Sequence, residues 1–468
     1  MIFSTTAFLY FFLPLFLAAY VLLPWKNLTA LSFSLLFFAW GEGVYLILLL
    51  AVVWMNFLIG AAVHKAENDK LRRILVCAGV SLNLAVLAYY KYWGFLVNDV
   101  LAMSLPAESL PILPLGISFF IFQSISYLVD VYRREATPAQ SVYDLALYIA
   151  MFPQLIAGPI VRYGDVDCAL RQRAVSFFPV VRGLQLFAMG LAFKVLIANQ
   201  VAVVADAAFG APADQLAPST AWLGITAYTL QIFFDFAGYS LMAIGLGRVM
   251  GFRFPRNFNH PYVSRSITEF WRRWHMSLSS WFRDYLYIPL GGNRGGAVST
   301  YRNLFVVFLL CGLWHGAAWS FVAWGLFHGS LLVLERAGLN RLLTKIPEVF
   351  AHLYLLTAVM IGWVLFRADT LSQAWSYLQA MFRTTTSLAA VGPWEIINHQ
   401  QAWVLALAVV FCFPVLERTR WRQWDENSVS TMPTSALVVD VTVITLLFTL
   451  CSVFVLSGTY NPFIYFRF

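Results

Sequence analysis

The sequence predicts an all-α protein that is embedded in a membrane along most of its length. Hydrophobic residues make up 60% of its 468 residues and charged residues only 12%, far below the charge content of soluble domains. Many apolar runs approach the length of about 20 residues with which an α-helix crosses a bilayer. Lysines and arginines cluster in short loops between these runs, as is typical of multi-pass membrane proteins.

About eleven membrane spans are predicted from these runs. The first lacks a basic segment before its apolar run and a small-residue cleavage site, so we interpret it as a retained helix. The predicted spans are 1–24, 28–40, 43–63, 74–96, 113–131, 177–204, 219–247, a region around 303–327, 350–366, 401–416 and 435–457. We expect them to form a single integral membrane domain over residues 1–468.

The loop charges predict the orientation of the chain. Loops rich in lysine and arginine stay in the cytoplasm, so the N-terminus is expected outside. The basic residues on the predicted inner side are Lys26, Lys65, Lys70, Arg72, Arg73, Arg133, Arg134, Arg248, Arg418, Arg420 and Arg422. The loops predicted outside, 98–111 and 206–220, hold acidic residues and neither lysine nor arginine.

Two segments depart from simple membrane crossing. Residues 143–161 would break the alternation of sides if they crossed fully, and Pro153, Gly158 and Pro159 interrupt their helical pattern. We therefore predict a re-entrant segment, which is tolerated where protein surrounds the backbone. Residues 371–383 repeat apolar side chains at helical spacing and predict an interfacial helix on the outer side.

Residues 248–302 contain nine arginines, no lysine and only two acidic residues. Their net charge of +7 nearly equals the +8 of the whole chain. An ordinary cytoplasmic loop explains such a bias as well as a binding site does. The exclusive use of arginine favours the second interpretation, because the guanidinium group binds phosphate and carboxylate in a bidentate manner.

Within this segment, residues 267–285 place aromatic and apolar side chains at helical offsets. This pattern predicts one half-buried helix with a broad aromatic face. Ser266 and Glu269 have the spacing of a capping box at its start. His275 directly follows Trp274 and is expected at the border of the apolar face, where it could face a buried polar cavity.

His315 lies near the middle of the apolar stretch 303–327 and is the first candidate for catalysis. Burial of an ionisable group in a membrane is costly and usually marks a pathway or a reaction centre. Neutral imidazole is also a natural general base near pH 7. Gly312 and Gly316 flank it, where a substrate or another backbone comes close. His328 is expected to anchor or pair rather than to act as the base.

Asp235 is a further ionisable residue in apolar surroundings. Pairing with a buried arginine is one interpretation. The other is that Asp235 and Tyr239, four residues apart on one helix face, line the same cavity as His315. The five cysteines show no CxxC spacing, so neither a disulfide framework nor a metal site is indicated. No phosphate loop is present, which leaves ATP-driven transport unsupported.

Several ordered motifs resemble the membrane-bound O-acyltransferase (MBOAT) family, and within it the alginate O-acetylase branch. The main run is NFNHPYVSRSITEFWRRWHMSLSSWFRDYLY, residues 257–287, followed by IPLGGNRGG, YRNLF and GLWHGAAW. Earlier motifs are MIFSTTAFLYFFLPLF, PLGISFFIFQSISYLVDVYR, FPQLIAGPIVRY and FDFAGYSLMAIGLG. The best-matching core is about 113–335, and the resemblance weakens after about residue 385.

This resemblance implies a ring of about eleven transmembrane helices, with re-entrant and interfacial helices, around a central tunnel. It makes His315 the catalytic histidine and His275 the second signature residue, which would orient the donor or stabilise developing negative charge. Candidate donor-binding or tunnel-lining residues are Asp235, Tyr239, Trp271, Arg272, Arg273, Trp274, Asn293 and Trp314.

The implied reaction moves acetyl from a cytoplasmic thioester, acetyl-CoA, across a bacterial inner membrane for O-acetylation of a secreted exopolysaccharide of the alginate or cellulose type. The implied partners are a periplasmic SGNH-type acetyltransferase or acetyl-relay protein, the exopolysaccharide synthesis and secretion machinery, and membrane lipid. No bound cofactor and no nucleic acid are expected. The alternatives are a transporter or flippase without acyl chemistry, and teichoic acid D-alanyl or lipid acyl transfer.

Overall fold

The computed structural model describes residues 2–173, 175–384, 390–415, 434–458, 460–462 and 464. Within these ranges the chain is helical and has no β-strand, although Leu216 and Val391 form one isolated parallel bridge. Seven helices are long and apolar enough to cross a membrane, and two shorter apolar helices accompany them. The predicted all-α, multi-pass membrane class is therefore confirmed.

In chain order, the helices of the N-terminal half are α1 Ala7–Leu22, α2 Lys26–Glu42, α3 Tyr45–Lys65, α4 Asp69–Tyr92, α5 Ile117–Arg133, α6 Val142–Ala150, α7 Phe152–Leu155, α8 Tyr163–Arg171, α9 Phe177–Gly210 and α10 Pro218–Val249. Those of the C-terminal half are α11 Ile267–Arg273, α12 Met276–Phe282, α13 Gly296–His315, α14 Trp319–Leu334, α15 Asn340–Leu343, α16 Glu348–Arg367, α17 Leu371–Phe382, α18 Pro393–Ile396, α19 His399–Cys412 and α20 Thr434–Ser457. The seven candidate spans are α3, α4, α9, α10, α13, α16 and residues 437–457 of α20.

The described residues cluster into two compact units. The first contains residues 2–191, 239–256 and 434–456, and the second contains 192–238, 257–415 and 457–464. All the residues that line the cavity described below belong to the second unit.

An aromatic core organises the first unit. Phe8, Phe12 and Phe16 recur every four residues along α1 and so share one helix face. The Phe12 ring lies 5.5 Å from Phe37 of α2 and 5.3 Å from Phe152 of α7, and all of these side chains are buried. This face of α1 is therefore fixed by ring packing, which adds a geometric preference to the burial of apolar area.

In the second unit, α13 and α14 form a helical hairpin with a glycine contact. A Cβ atom at Gly312 would collide with the carbonyl oxygen of Phe321, and one at Gly325 would collide with that of Phe308. Glycine at both positions lets the two backbones approach closely, as in small-residue interfaces of membrane helices. The expectation that another backbone approaches Gly312 is confirmed.

The hairpin corrects the prediction for 303–327. His315 is the last residue of α13, and residues 316–318 turn the chain into α14. The apolar run gave no sign of this turn, because Gly316, Ala317 and Ala318 continue its apolar composition. His315 thus lies at a helix end and not in the middle of a span.

The prediction of one continuous helix over 267–285 is also wrong. Helix α11 ends at Arg273 and α12 begins at Met276, with His275 in the left-handed region at φ 42° and ψ 56°. The estimate of the position of His275 around a single helix therefore fails. Ser266 Oγ accepts from Glu269 N–H at 3.1 Å as predicted, but the Glu269 carboxylate accepts from Arg265 N–H, one residue before the expected partner.

Two segments, 371–383 and 143–161, are predicted to depart from simple membrane crossing. The helix predicted over 371–383 is confirmed as α17, in which Tyr377 is buried and Trp375 is 64% exposed. Its position at the outer membrane interface stays a prediction. The segment 143–161 is interrupted as predicted, with α6 ending at Ala150 and the short α7 following. Whether it re-enters the membrane stays a prediction. Arg418, Arg420 and Arg422 lie outside the described residues.

Candidate active site

His315 lies against a small cavity with aromatic walls. Its side chain is buried, and the cavity has a volume of about 10 Å³, roughly the space of one water molecule. Helices α10, α13, α14 and α16 supply most of the wall. The lining residues are Ile232, Phe236, Trp274, His315, Trp324, Trp363, Phe366 and Ile464. Among them His315 is the ionisable residue, so the cavity presents one proton acceptor in an apolar enclosure.

Aromatic rings hold the His315 imidazole from several sides. The ring centroids of Trp314, Trp324 and Phe366 lie 4.9, 5.1 and 5.2 Å from the imidazole centroid, and each ring plane is close to perpendicular to the imidazole. This packing restricts the rotation of the imidazole. Because His315 ends α13, the partial negative charge of the helix C-terminus favours the imidazolium ion that forms when His315 accepts a proton.

His275 is fully buried but is not one of the residues that line the cavity. Its ring packs 4.6 Å from Phe236 and 6.1 Å from Trp314, both measured between centroids. Burial lowers the pKa of His275, so the imidazole is neutral at physiological pH. The structure therefore brings His275 to the rings around His315 without placing it in the same cavity.

The tryptophan candidates occupy different places. Trp274 lines the cavity, and Trp314 packs its ring between those of the two histidines. Trp271 is buried beside His328, with 5.3 Å between their centroids. His328 is enclosed by aromatic rings, and a Cβ at Gly362 would lie only 2.6 Å from its Nε2. His328 has no hydrogen-bond partner among the described residues, so the expected pairing is not observed there and the anchoring role stays a prediction.

The arginine-rich segment contains arginines with and without a salt bridge. Arg273, a predicted donor-binding residue, forms a 2.9 Å ion pair with Glu269 on α11. Arg265 and Arg283 pair with Glu348 and Asp284. The exposed arginines for which the described residues offer no salt bridge are Arg253 and Arg256 of the first unit and Arg272, Arg294 and Arg302 of the second. Asn293, next to Arg294, is exposed as well.

Asp235 pairs with a lysine and not with the expected arginine. Its Oδ1 lies 2.7 Å from Lys194 Nζ, and both side chains are almost fully buried. Its Oδ2 accepts from the backbone N–H of Ile464 at 2.9 Å. Asp235 does not line the cavity, but Ile464 does. Tyr239 belongs to the first unit, where its ring stacks 4.4 Å from Phe3.

Glu335 lies outside the cavity but holds a helix that leads to it, and sequence reasoning missed this residue. This buried carboxylate accepts from Ile267 N–H at 2.6 Å, Thr268 N–H at 2.9 Å and Thr268 Oγ–H at 2.6 Å. It thereby satisfies free donors at the start of α11 and complements the positive end of that helix. Glu335 follows α14 directly, so it ties the hairpin to the helix that leads to Trp274 and His275.

Asn257 was also missed, although it opens the quoted motif NFNH. It is buried, and its side-chain oxygen lies 3.0 Å from His275 Nδ1. Its signal in the sequence was weak, since 18 residues separate it from the histidine that it contacts.

Comparisons with known proteins identify relatives over most of the chain. The family model of membrane-bound O-acyltransferases matches residues 2–366. A protein described as a probable alginate O-acetylase from Azotobacter vinelandii is 44% identical over 425 residues, covering 87% of this chain and 82% of that protein. A similarly described protein from Pseudomonas putida is 40% identical over the whole of both chains. The peptidoglycan O-acetyltransferase of Helicobacter pylori is 35% identical, covering 81% of this chain and 80% of that protein.

Proposed function

This chain belongs to the membrane-bound O-acyltransferase family, and from that premise we propose that it moves acetyl from cytoplasmic acetyl-CoA for O-acetylation of a secreted exopolysaccharide of the alginate or cellulose type. It is an O-acyltransferase and a multi-pass membrane protein, and relatives carry the names O-acetylase and O-acetyltransferase. We place it in a bacterial inner membrane, with a periplasmic N-terminus and about eleven spans around a tunnel.

The small cavity beside His315 is the observation that carries the choice of acetyl. Besides His315, five aromatic rings line it and leave a volume of about 10 Å³, those of Phe236, Trp274, Trp324, Trp363 and Phe366. A short acyl group requires the least displacement of this wall, whereas a fatty acyl chain would need a long apolar channel. Closely packed interiors resist such displacement, because each ring is held by its neighbours.

In the proposed reaction, His315 removes the proton from an incoming hydroxyl group, whose oxygen attacks the carbonyl carbon of the thioester. The carbon–sulfur bond then breaks, and the departing thiolate takes the proton from the imidazolium. The products are an oxygen ester and free CoA thiol. Transfer through an acetyl group carried on His315 is the alternative route, in which the imidazole is the nucleophile.

Arg272 and Arg294 are the proposed contacts of the anionic donor. In the second unit's part of the basic segment, Arg272, Arg294 and Arg302 are exposed and form no salt bridge with the described residues. Arg302 donates hydrogen bonds to Asn303 instead, whereas the described residues offer Arg272 and Arg294 no such side-chain partner. Guanidinium groups bind phosphate oxygens in a bidentate manner, and CoA carries phosphates. Asn293 offers a neighbouring amide for the same ligand.

We further propose that a periplasmic SGNH-type acetyltransferase or acetyl-relay protein takes the acetyl group to the polymer. A strain that lacks this periplasmic protein is expected to secrete exopolysaccharide without acetyl esters, measured by proton NMR of the purified polymer. Unchanged acetylation of the exopolysaccharide would contradict the proposal. Loss of acetyl esters from peptidoglycan instead would favour the acceptor named for the Helicobacter pylori relative.

Trp324 is expected to limit the length of the acyl group. Its ring packs on His315 and is almost completely buried. Trp324→Ala should raise kcat/KM for propionyl-CoA relative to acetyl-CoA by about tenfold or more, because one methylene group in an apolar pocket changes discrimination by roughly 10–200-fold.

The matched control is Trp319→Ala, a change at a 47% exposed tryptophan of the same helix, which should leave the ratio unchanged. Trp324→Phe provides a milder change if the alanine variant is too unstable to purify. An unaltered acyl preference in folded Trp324 variants would show that this ring does not set the size of the acyl group.

A further inference from the structure

The break between α11 and α12 is clamped by residues 257–259. Met276 N–H donates to the backbone oxygen of Asn257, and Asn259 N–H donates to that of Arg273, each at 2.9 Å. Arg273 Nη1 also donates to the Asn259 oxygen at 3.2 Å. The backbone on both sides of His275 is therefore held by a second segment.

His275 itself has an unfavourable backbone. A left-handed conformation is unfavourable for a residue with a side chain, because the Cβ atom comes too close to the following carbonyl oxygen. His275 adopts it at φ 42° while its side chain is 0% exposed. Strain of this kind persists where the surrounding structure imposes it, and it is common at functional sites.

Hydrogen bonds that Ser277 donates fix the orientation of the Asn257 amide. The Asn257 Oδ1 atom lies 3.3 Å from Ser277 N and 2.9 Å from Ser277 Oγ. A backbone N–H can only donate, so the amide atom that faces it must be the oxygen. A flipped amide would point its NH₂ group at another donor.

The same oxygen fixes the proton on His275. It lies 3.0 Å from Nδ1, and because an amide oxygen only accepts, Nδ1 must carry the hydrogen. In the neutral ring, the lone pair is then on Nε2. That nitrogen is buried and has no hydrogen-bond partner among the described residues. A buried acceptor without a partner is costly, which indicates that a ligand supplies the missing donor.

We propose that Asn257 is a positioning residue that holds His275 as the Nδ1–H tautomer, so that Nε2 accepts a hydrogen bond from a neutral O–H or N–H group of a bound substrate. The identity of this substrate group rests on the proposed function. The acceptor would supply an O–H group, and the amides of the CoA arm would supply N–H groups. This role replaces the expectation that His275 stabilises developing negative charge, because the lone pair on its Nε2 would repel an oxyanion.

The tautomer is tested directly by solid-state NMR of protein labelled with ¹³C,¹⁵N-histidine. The difference between wild-type and His275→Asn spectra isolates the His275 signals. A protonated Nδ1 and a bare Nε2 are expected. A protonated Nε2, in either the neutral or the charged ring, would overturn the assignment. This readout does not depend on acetyl transfer, so it separates failure of the tautomer from failure of the proposed function.

A pair of substitutions at His275 tests which nitrogen matters for transfer. Glutamine reaches the position of Nε2 with its side-chain oxygen, whereas asparagine reaches only as far as Nδ1. Asparagine is the better fit to the left-handed backbone. His275→Gln is therefore expected to retain more acetyl transfer than His275→Asn despite its poorer fit. Higher activity of the asparagine variant would show that only the Asn257 side of the ring matters.

Substitutions of Asn257 complete the test. Asn257→Leu removes the oxygen and should lower kcat by roughly tenfold or more, as expected when a buried hydrogen bond is lost.

Asn257→Asp keeps the oxygen and should retain activity at high pH. Phe236, Trp314 and Ser277, the other described contacts of His275 and Asn257, are uncharged, so the new carboxylate should raise the pKa of His275. Protonation of Nε2 should then remove activity at a higher pH than in the wild type.

The source of the hydrogen bond is found by comparing two rates in the His275→Asn variant. Slower thioester hydrolysis without an acceptor, together with a higher KM for acetyl-CoA, assigns the partner to the donor. Normal hydrolysis with slow transfer assigns it to the acceptor hydroxyl. Wild-type values of both rates, or wild-type kcat and pH profile in Asn257→Leu, would contradict the inference.

Discussion

His315→Ala is expected to reduce acetyl transfer by about 10²–10⁴-fold, the usual contribution of a positioned general base. The reason is that His315 is the ionisable side chain among the described residues that line the cavity. The α13 C-terminus can stabilise the charge that the imidazole gains, and no lining ring can take over that proton. The measurement is the initial rate of ester formation by purified protein from labelled acetyl-CoA.

Two variants make this result specific. His315→Gln fills much of the same space but cannot accept the proton as imidazole does, so it should be similarly inactive. His399→Ala removes an exposed histidine at the start of α19 and should behave as wild type. Folding and membrane insertion should be intact in all three proteins, measured by thermal unfolding in detergent. Full activity of His315→Ala would remove His315 from the reaction.

The second large effect is expected at the buried pair of Lys194 and Asp235. Removal of one partner from a buried ion pair typically costs about 3–5 kcal/mol, because it leaves the other charge buried without compensation. Asp235→Ala should therefore lower the thermal midpoint strongly and reduce the yield of folded protein. The loss of stability should exceed that of the ion pair alone, because Asp235 also accepts a hydrogen bond from the backbone N–H of Ile464. The side chain of Ile464 lines the cavity, so the site should be affected as well.

The double variant Lys194→Met/Asp235→Leu is the matched control, since it removes both charges and keeps apolar volume. Such replacements of buried pairs are often neutral or stabilising, so most of the lost stability should return. Recovery of acetyl transfer together with stability would assign Asp235 a structural role. A stable double variant without transfer would instead indicate that the hydrogen bond from Ile464 to Asp235 is needed to shape the cavity that Ile464 lines. If the single Asp235→Ala variant were as stable as wild type, the pair would have no structural importance.

The fold class and the main candidate were accessible from sequence because their signals are local. Apolar runs, basic loops and one histidine in an apolar stretch predicted the membrane helices and His315. The hairpin at residues 316–318 was missed because small apolar residues turn the chain without a change in composition. Gly312 lets α13 and α14 pack closely, but the run does not show which backbone approaches this glycine.

The environment of His275 depends on contacts that are distant in sequence. Aromatic spacing continues through residues 274 and 275, so periodicity predicts a continuous helix there. The observed break requires the 257–259 segment, and the start of α11 requires Glu335, which lies 68 residues after Ile267. Tertiary hydrogen bonds thus override local propensity at the position where the sequence placed a second site residue.

The most direct test of acyl transfer at His315 is a stoichiometric assay in lipid nanodiscs. Purified protein receives radiolabelled acetyl-CoA with a hydroxyl acceptor or the partner acetylase, and free CoA thiol and labelled oxygen ester are counted together. Acyl transfer at His315 predicts one ester for each thiol released by the wild-type protein and neither product above background with His315→Ala. Equal rates in the two proteins, or thiol release without any acetyl-labelled product, would contradict it.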